Sequence, residues 1–233
     1  MTASEVAIRR AEEPDAPALA RIHLTARRAA PMPRAAHTEA EVCAWLSGRL
    51  HNDDVWIAEA DDEPAAYLRL TPDWLDDLYV VPDRARQGIG STLLDLAKQQ
   101  RPDGFCLWVF EQNEPARAFY RRHGLVELEH TDGAANEERA PDVRMAWPGT
   151  DPLTFLRRLI DDVDDQLGDL LARRSALTAA AQPYKPVAER DPEREREIAA
   201  RLAARAPALG EDRLARILHA IITESLAAAG PGS

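Results

Sequence analysis

The sequence predicts an α+β domain followed by an all-α domain, and three observations carry that expectation. Up to about residue 148, short β-branched or aromatic runs alternate with amphipathic helical patterns. Within that part, residues 78–99 (LYVVPDRARQGIGSTLLDLAKQ) join a strand to a helix through a glycine loop. Past the break at Pro148–Pro152 the apolar periodicity becomes helical. The expected domains are residues 1–149 and 150–233.

In chain order, Val6–Arg9 reads as a first strand. A helix follows from about Pro14 to Arg28, with Ala18, Leu19, Ile22 and Ala26 on one face. Thr38–Leu50 is a second helix; Thr38 followed three residues later by Glu41 forms a capping signal, and Val42, Trp45 and Leu46 mark the buried side. Val55–Ala60, Ala65–Leu70 and Trp74–Val81 are strands separated by Asp-rich turns. After the glycine loop, Ile89, Leu93, Leu94 and Ala97 recur at helical spacing. Gly104–Phe110 is a fifth strand, Asn113–Gly124 a helix capped by Asn113 and ended by Gly124, and Leu125–His130 with Asp142–Trp147 a closing hairpin.

Composition narrows the chemistry. A net charge of −11, most of it in residues 1–150, argues against nucleic acid as a partner. No apolar run approaches the ~20 residues of a membrane span, so no membrane partner is expected. Cys43 and Cys106 lack metal-ligand spacing and read as reduced packing residues of a cytoplasmic protein, and no metal is expected. Lys98 and Lys185 are the two lysines among 29 basic residues, which marks them as candidates for roles a guanidinium cannot fill. At the glycine loop, Gly88 and Gly90 sit where a helix begins. The unpaired N–H groups of Gln87 to Ser91, backed by the positive end of the helix dipole, form a phosphate seat. A glycine pair there also serves turn geometry alone.

The second block, NEPARAFYRRHGL at Asn113–Leu125, adds to this. Together the two blocks resemble the GNAT superfamily of N-acetyltransferases: the first its pyrophosphate loop, Q/R-x-x-G-x-G/A, the second its N-x-x-A-x-x-F/L-Y-x-x-x-G-F/L segment. Ala85 departs from the first pattern, with Arg84 and Arg86 on either side. The resemblance spans roughly residues 5–148. It implies a GNAT-like mixed sheet with flanking helices, acetyl-CoA as cofactor and a small-molecule amine as acceptor. It implies a cofactor-binding set of Val80, Val81, Arg86, Gln87, Gly88, Gly90, Ser91 and Asn113, with a strand-end amide near Tyr79 or Val80 polarising the thioester. Tyr120 would protonate the leaving sulfur, although a tyrosine on this helix also fits as a packing residue. Asp76 and Asp77 are candidates to relay the amine's proton, which an alkylammonium must lose before it attacks.

In the second domain Leu156, Ile160, Val163, Leu167, Leu170, Leu171 and Leu177 form one stripe of a helix that Pro152 opens, Thr150 or Asp151 caps, and that runs to about Ala181. Such a helix, roughly 40 Å long, needs a partner chain to cover it. Arg174 falls within the stripe and requires an anion, either an internal acid or a ligand. The segments LRRLIDDVDDQLGDLLARRSALTAAAQPYK, RDPEREREIAARL and ILHAIITESLA resemble the three helices of an AroQ-type chorismate mutase, over residues 153 to about 228. That resemblance implies a homodimer through the helical domain and chorismate, or a related dianion, as ligand. Arg157 would reach the partner's site, Arg174 would bind a carboxylate, and Lys185 would hydrogen-bond the ether oxygen. Asp191, Arg194, Glu195 and Ser225 would lie near the ring and hydroxyl. Two guanidiniums suit a dianion, and a pericyclic rearrangement needs a fixed conformer rather than a nucleophile.

Two departures accompany this likeness: Ala229 stands where the family has a Gln or Glu, and Pro183 and Pro186 bracket Lys185. A slow mutase, an enzyme of an amino- or iso-analogue, and a domain kept for dimerisation all fit. The expectation is a bifunctional acetyltransferase and chorismate mutase; the alternatives are an acetyltransferase whose second domain only dimerises or binds ligand, and a non-catalytic acyl-CoA sensor.

Overall fold

In a computed structural model of the protein, residues 6–184 and 191–229 are described. The chain divides into two compact units, Met1–Arg157 and Arg158–Ser233. The first contains β1 (Val6–Arg10), α1 (Ala16–Ala29), α2 (Glu39–Arg49), β2 (Asp54–Ala60), β3 (Glu63–Leu70) and β4 (Leu75–Val80). It continues with α3 (Ile89–Gln100), β5 (Phe105–Phe110), α4 (Glu114–Arg122), β6 (Val126–Thr131) and β7 (Asp142–Trp147). This is the order the sequence predicts.

All strand pairs are antiparallel, in a four-stranded sheet β1-β2-β3-β4 and a three-stranded sheet β5-β7-β6. The parallel component of the expected mixed sheet is one bridge, Trp74 to Cys106, where the Cys106 N–H donates to the Asp73 carbonyl at 2.9 Å. No ladder continues beyond it, so β4 and β5 part. β3 is buried on both faces, which explains its unbroken apolar run Ala65–Leu70 with Arg69 as the exception. One of its faces joins Ala58, Leu93, Leu94, Phe105 and Met145 under α3; the other joins Leu19, Ile22, Leu46 and Ile57 under α1 and α2. Each such fully buried leucine or isoleucine contributes about 1.5–3 kcal/mol.

The local signals act as expected. Thr38 and Glu41 form the capping box of α2, and Asn113 caps α4 by accepting from the Ala116 N–H. Asp151, rather than Thr150, accepts from the Thr154 N–H at 3.2 Å at the start of α5 (Pro152–Ala181). A register shift between Arg69 and Leu70 pairs Arg69 with Asp77 and Leu70 with Leu75, leaving Asp76 as the extra residue of β4.

In the second unit, α5 ends at Ala181 and passes into a short 3-10 turn, Gln182–Tyr184, at Pro183. α6 (Pro192–Arg205) packs on α7 (Glu211–Ala228) around Ala199, Leu214 and Leu218. The stripe on α5 stays open: Ile160, Val163, Leu167, Leu170 and Leu177 are 47–64% exposed. Among the described residues no helix is long and apolar enough to cross a membrane. None of their His, Cys, Asp and Glu side chains form a group of three or more that could hold a metal ion.

Candidate functional site

The glycine loop is an exposed helix start. Gly88 is the N-cap of α3 with φ +92°, and Arg86, two residues earlier, is also left-handed at φ +60°. Two such residues curl the backbone N–H groups toward a common point, the shape of an anion nest. Gly90 faces the end of β4 and α4: a Cβ there would lie 3.6 Å from Val80 and 3.7 Å from Phe119. Ser91 Oγ is 3.0 Å from His123 Nε2, and Lys98 Nζ donates to the His123 carbonyl at 2.6 Å, so one of the two lysines fastens the end of α4. Gln87 donates to the Asp83 carbonyl, and Arg84 pairs with Asp61. Arg86 is exposed and, among the described residues, makes no ion pair.

At the end of β4, the Val81 N–H donates to the Ala65 carbonyl at 2.9 Å. Ladder alternation then turns the Val80 N–H away from β3, so of the two residues Val80 has the amide aimed into the parting of the strands. The Tyr79 N–H lies on the β3 side with that of Val81.

A cavity of about 610 Å³ lies at this parting, with Leu78, Val80, Trp108 and Tyr120 among its walls. Tyr120 is half-buried, and burial pushes its phenol well above the ordinary tyrosine value, so it carries its proton at neutral pH. Asn113 is buried and lines the same space while capping α4.

The same cavity is lined by residues that sequence reasoning missed: His23, Arg27 and Glu138. Arg27 donates to Glu138 at 2.6 Å. His23 Nδ1 lies 2.8 Å from Tyr67 Oη, and its ring packs on Tyr79 with centroids 4.6 Å apart. Asp77 is buried and receives Arg69 Nε at 2.5 Å, while Asp53 receives Arg69 Nη1 at 2.8 Å. Asp77 is therefore an ion-pair partner rather than a free relay. Asp76 accepts from the Thr71 hydroxyl at 2.9 Å, and desolvation raises its pKa despite Arg69 nearby. The one signal for His23 in the sequence is a polar residue beside the buried positions Ile22 and Leu24 of α1. Its partner on β3 is 44 positions away and leaves no local trace.

In the helical unit, Arg174 and Ser225 come together. Arg174 Nη1 donates to Ser225 Oγ at 2.7 Å, and Ser225 is buried. No carboxylate among the described residues pairs with Arg174. Arg157 is exposed and 17 positions earlier on the same helix, about 26 Å away at 1.5 Å per residue. Asp191 caps α6, accepting from the Glu193 and Arg194 N–H groups at 3.1 and 3.0 Å. Arg194 is exposed and Glu195 half-buried in the first turn. Lys185 lies outside the described residues.

Comparison with known proteins agrees with both halves. Residues 51–127 match the family model described as the acetyltransferase (GNAT) domain, and residues 156–229 match chorismate mutase type II. The peptidyl-lysine N-acetyltransferase YjaB of Salmonella typhimurium is 37% identical over 87 residues, covering 37% of this chain and 59% of that protein. The probable N-acetyltransferase Rv2775 of Mycobacterium tuberculosis is 34% identical over 87 residues, 34% of this chain and 48% of its own length. The chain thus spans about half to three-fifths of these two curated relatives. The solution structure of apo YjaB from Escherichia coli superposes with a TM-score of 0.52 at 23% identity, over 63% of this chain and 99% of that one, which shows a shared fold. Residues 51–127 thus match a GNAT acetyltransferase domain and residues 156–229 a type II chorismate mutase domain.

Proposed function

We propose that the protein is a bifunctional enzyme: an acetyl-CoA-dependent N-acetyltransferase and a chorismate mutase, or an enzyme of a close chorismate analogue, working as a homodimer through the helical unit. The observation that supports the first activity most is the cavity at the parting of β4 and β5, which has a protonated Tyr120 and the Val80 amide at its walls and lies where β4 runs into the glycine loop. The exposed start of α3 and the unpaired Arg86 suit a diphosphate, with Gln87, Gly88, Gly90 and Ser91 supplying N–H groups and Asn113 shaping the wall beneath. Bound acetyl-CoA would supply an activated thioester. Val80 holds a donor for its carbonyl oxygen, and Tyr120 holds the proton for the sulfur.

In the helical unit, Arg174 beside the buried Ser225 is a cation that no carboxylate among the described residues pairs with, which suits a dianionic substrate. Arg157 is too far along α5 to serve the same site. A second copy laid along the open apolar stripe would cover it and bring its own Arg157 to that site. Lys185, Asp191, Arg194 and Glu195 would complete the pocket. A second reading, in which this unit only dimerises or holds ligand, is favoured by Ala229, half-buried at the end of α7, where the mutase family has a polar side chain.

Calorimetric titration of the whole chain with acetyl-CoA and, separately, with chorismate tests both halves, with prephenate assayed in the same samples. Saturable binding of each with prephenate formed is the expected result. Chorismate binding without prephenate would leave the second reading. Failure of acetyl-CoA to bind would remove the first activity.

A further inference from the structure

We infer that His23 is the base that takes the acceptor's proton, held for that task by a Tyr67–Asp77–Arg69 chain behind it; this rests on the acetyltransferase reading of the same cavity. The argument is one of donors and acceptors. Asp77 is ion-paired with Arg69 Nε at 2.5 Å, and its charge, close to the buried Tyr67 hydroxyl, helps hold that phenol in its protonated form. A carboxylate only accepts, so Tyr67 has its single proton turned toward Asp77. The Tyr67 oxygen, 2.8 Å from His23 Nδ1, is then left to accept, and Nδ1 must carry the proton. That fixes the tautomer: the lone pair is on Nε2. Among the described residues Nε2 has no hydrogen-bond partner, and His23 lines the same cavity as Tyr120.

His23 is also kept neutral. Burial lowers its pKa; Asp77 at 4.0 Å and Glu138 oppose the shift, while Arg27 and Arg69 reinforce it, and Tyr67 and Tyr79 face the ring as neutral phenols. With Asp76, Asp77, Glu138 and Asp142 on the walls against Arg27, the single cation among the described residues there, which Glu138 neutralises, the cavity is net acidic and suits an acceptor that arrives as an ammonium ion. His23 Nε2 takes one proton from that ammonium and later releases it to solvent. The freed lone pair forms the C–N bond as the C–S bond breaks, Tyr120 protonates the sulfur, and the second proton lost by nitrogen restores Tyr120. Amide, thiol and one released proton balance the equation.

The test has two arms. In the first, wild type, His23→Gln and Tyr67→Phe are assayed with acetyl-CoA and two probes, spermidine and an N-blocked lysine amide. Wild-type kcat should rise with pH through a midpoint below 6.5 and then level off. His23→Gln should lose kcat by on the order of 100-fold, lose that acidic limb, and bind acetyl-CoA with unchanged affinity. Tyr67→Phe should lower kcat by less, with KM little changed. Retention of both kcat and the acidic limb in His23→Gln overturns the assignment. The second arm needs no acceptor: nitrogen NMR of the histidine-labelled whole chain should show His23 protonated on Nδ1 at pH 7.5. Protonation on Nε2 overturns the assignment. If wild type turns over neither probe, that counts against the acetyltransferase reading, and the tautomer alone decides for or against His23.

Discussion

Tyr120 and Gly88 show how much of a site one residue can carry. Burial raises the Tyr120 phenol far above its ordinary value, so a proton is available on it across the whole range in which an enzyme of this kind works. Tyr120→Phe should therefore lower kcat for acetyl transfer by on the order of 100-fold or more, leave acetyl-CoA affinity unchanged, and the wild type should show no alkaline loss of acid function below pH 10. A steady-state pH profile of both proteins checks this. Gly88 is left-handed at φ +92°, and a Cβ there would meet nothing within 4 Å. Gly88→Ala should cost about 1 kcal/mol in backbone strain and keep most of the affinity, whereas Gly88→Glu puts a carboxylate at the phosphate seat and should abolish acetyl-CoA binding. Equal affinities for the two variants by calorimetry would show that no phosphate sits there. The placement of Tyr120 on a capped helix and of Gly88 at a helix start was legible in the sequence because each belongs to a local pattern. The placement of His23 was not, because its hydrogen bond to Tyr67 on β3 and the Arg69–Asp77 pair nearby join residues far apart in the chain.

Elements were read well where the signal is local and less well where pairing decides. The Thr38–Glu41 capping box, the Pro152 start of α5 and its end before Pro183 are set by a few neighbouring residues and stand as expected. The bulge that sets Asp76 apart from its neighbours on β4 depends on register with β3, which no single strand's alternation encodes. The same holds for the parting of β4 from β5, and so for the cavity itself. Two changes test elements directly. Gly104 has φ +103°, and a Cβ there would lie 2.4 Å from the Phe155 ring in the first turns of α5. Gly104→Ala should destabilise the first unit by on the order of 1–3 kcal/mol, read as a lowered urea midpoint. At the end of α7, Ala229→Gln restores the polar side chain expected beside the ether oxygen. One hydrogen bond made mainly in the transition state is worth on the order of 1–3 kcal/mol, so prephenate formation should rise roughly 5- to 150-fold. No gain in a folded variant would favour the binding or dimerising role.

At the scale of the whole molecule, the proposed function puts two chemistries on one chain, the second at a site shared by two chains. Arg157 and Arg174 are about 26 Å apart on α5. If each alanine variant is inactive as a mutase, a refolded equal mixture should recover about a quarter of wild-type activity. Half of the dimers are mixed, and one site in each keeps Arg174 while receiving Arg157 from its neighbour. Activity staying at the level of the separate variants, with mixed dimers confirmed by mass, would exclude a shared site. The two activities should also fail separately, since apart from Arg157, the last residue of the first unit, the residues proposed for each lie in different compact units. The most direct measurement assays acetyl transfer to spermidine and prephenate formation from chorismate in the same preparations of wild type, Tyr120→Phe and Arg174→Ala. Wild type should do both, Tyr120→Phe should lose acetyl transfer alone, and Arg174→Ala should lose prephenate formation alone. A folded wild type that does neither, or one substitution that abolishes both reactions, would contradict the account of two independent active sites in this chain.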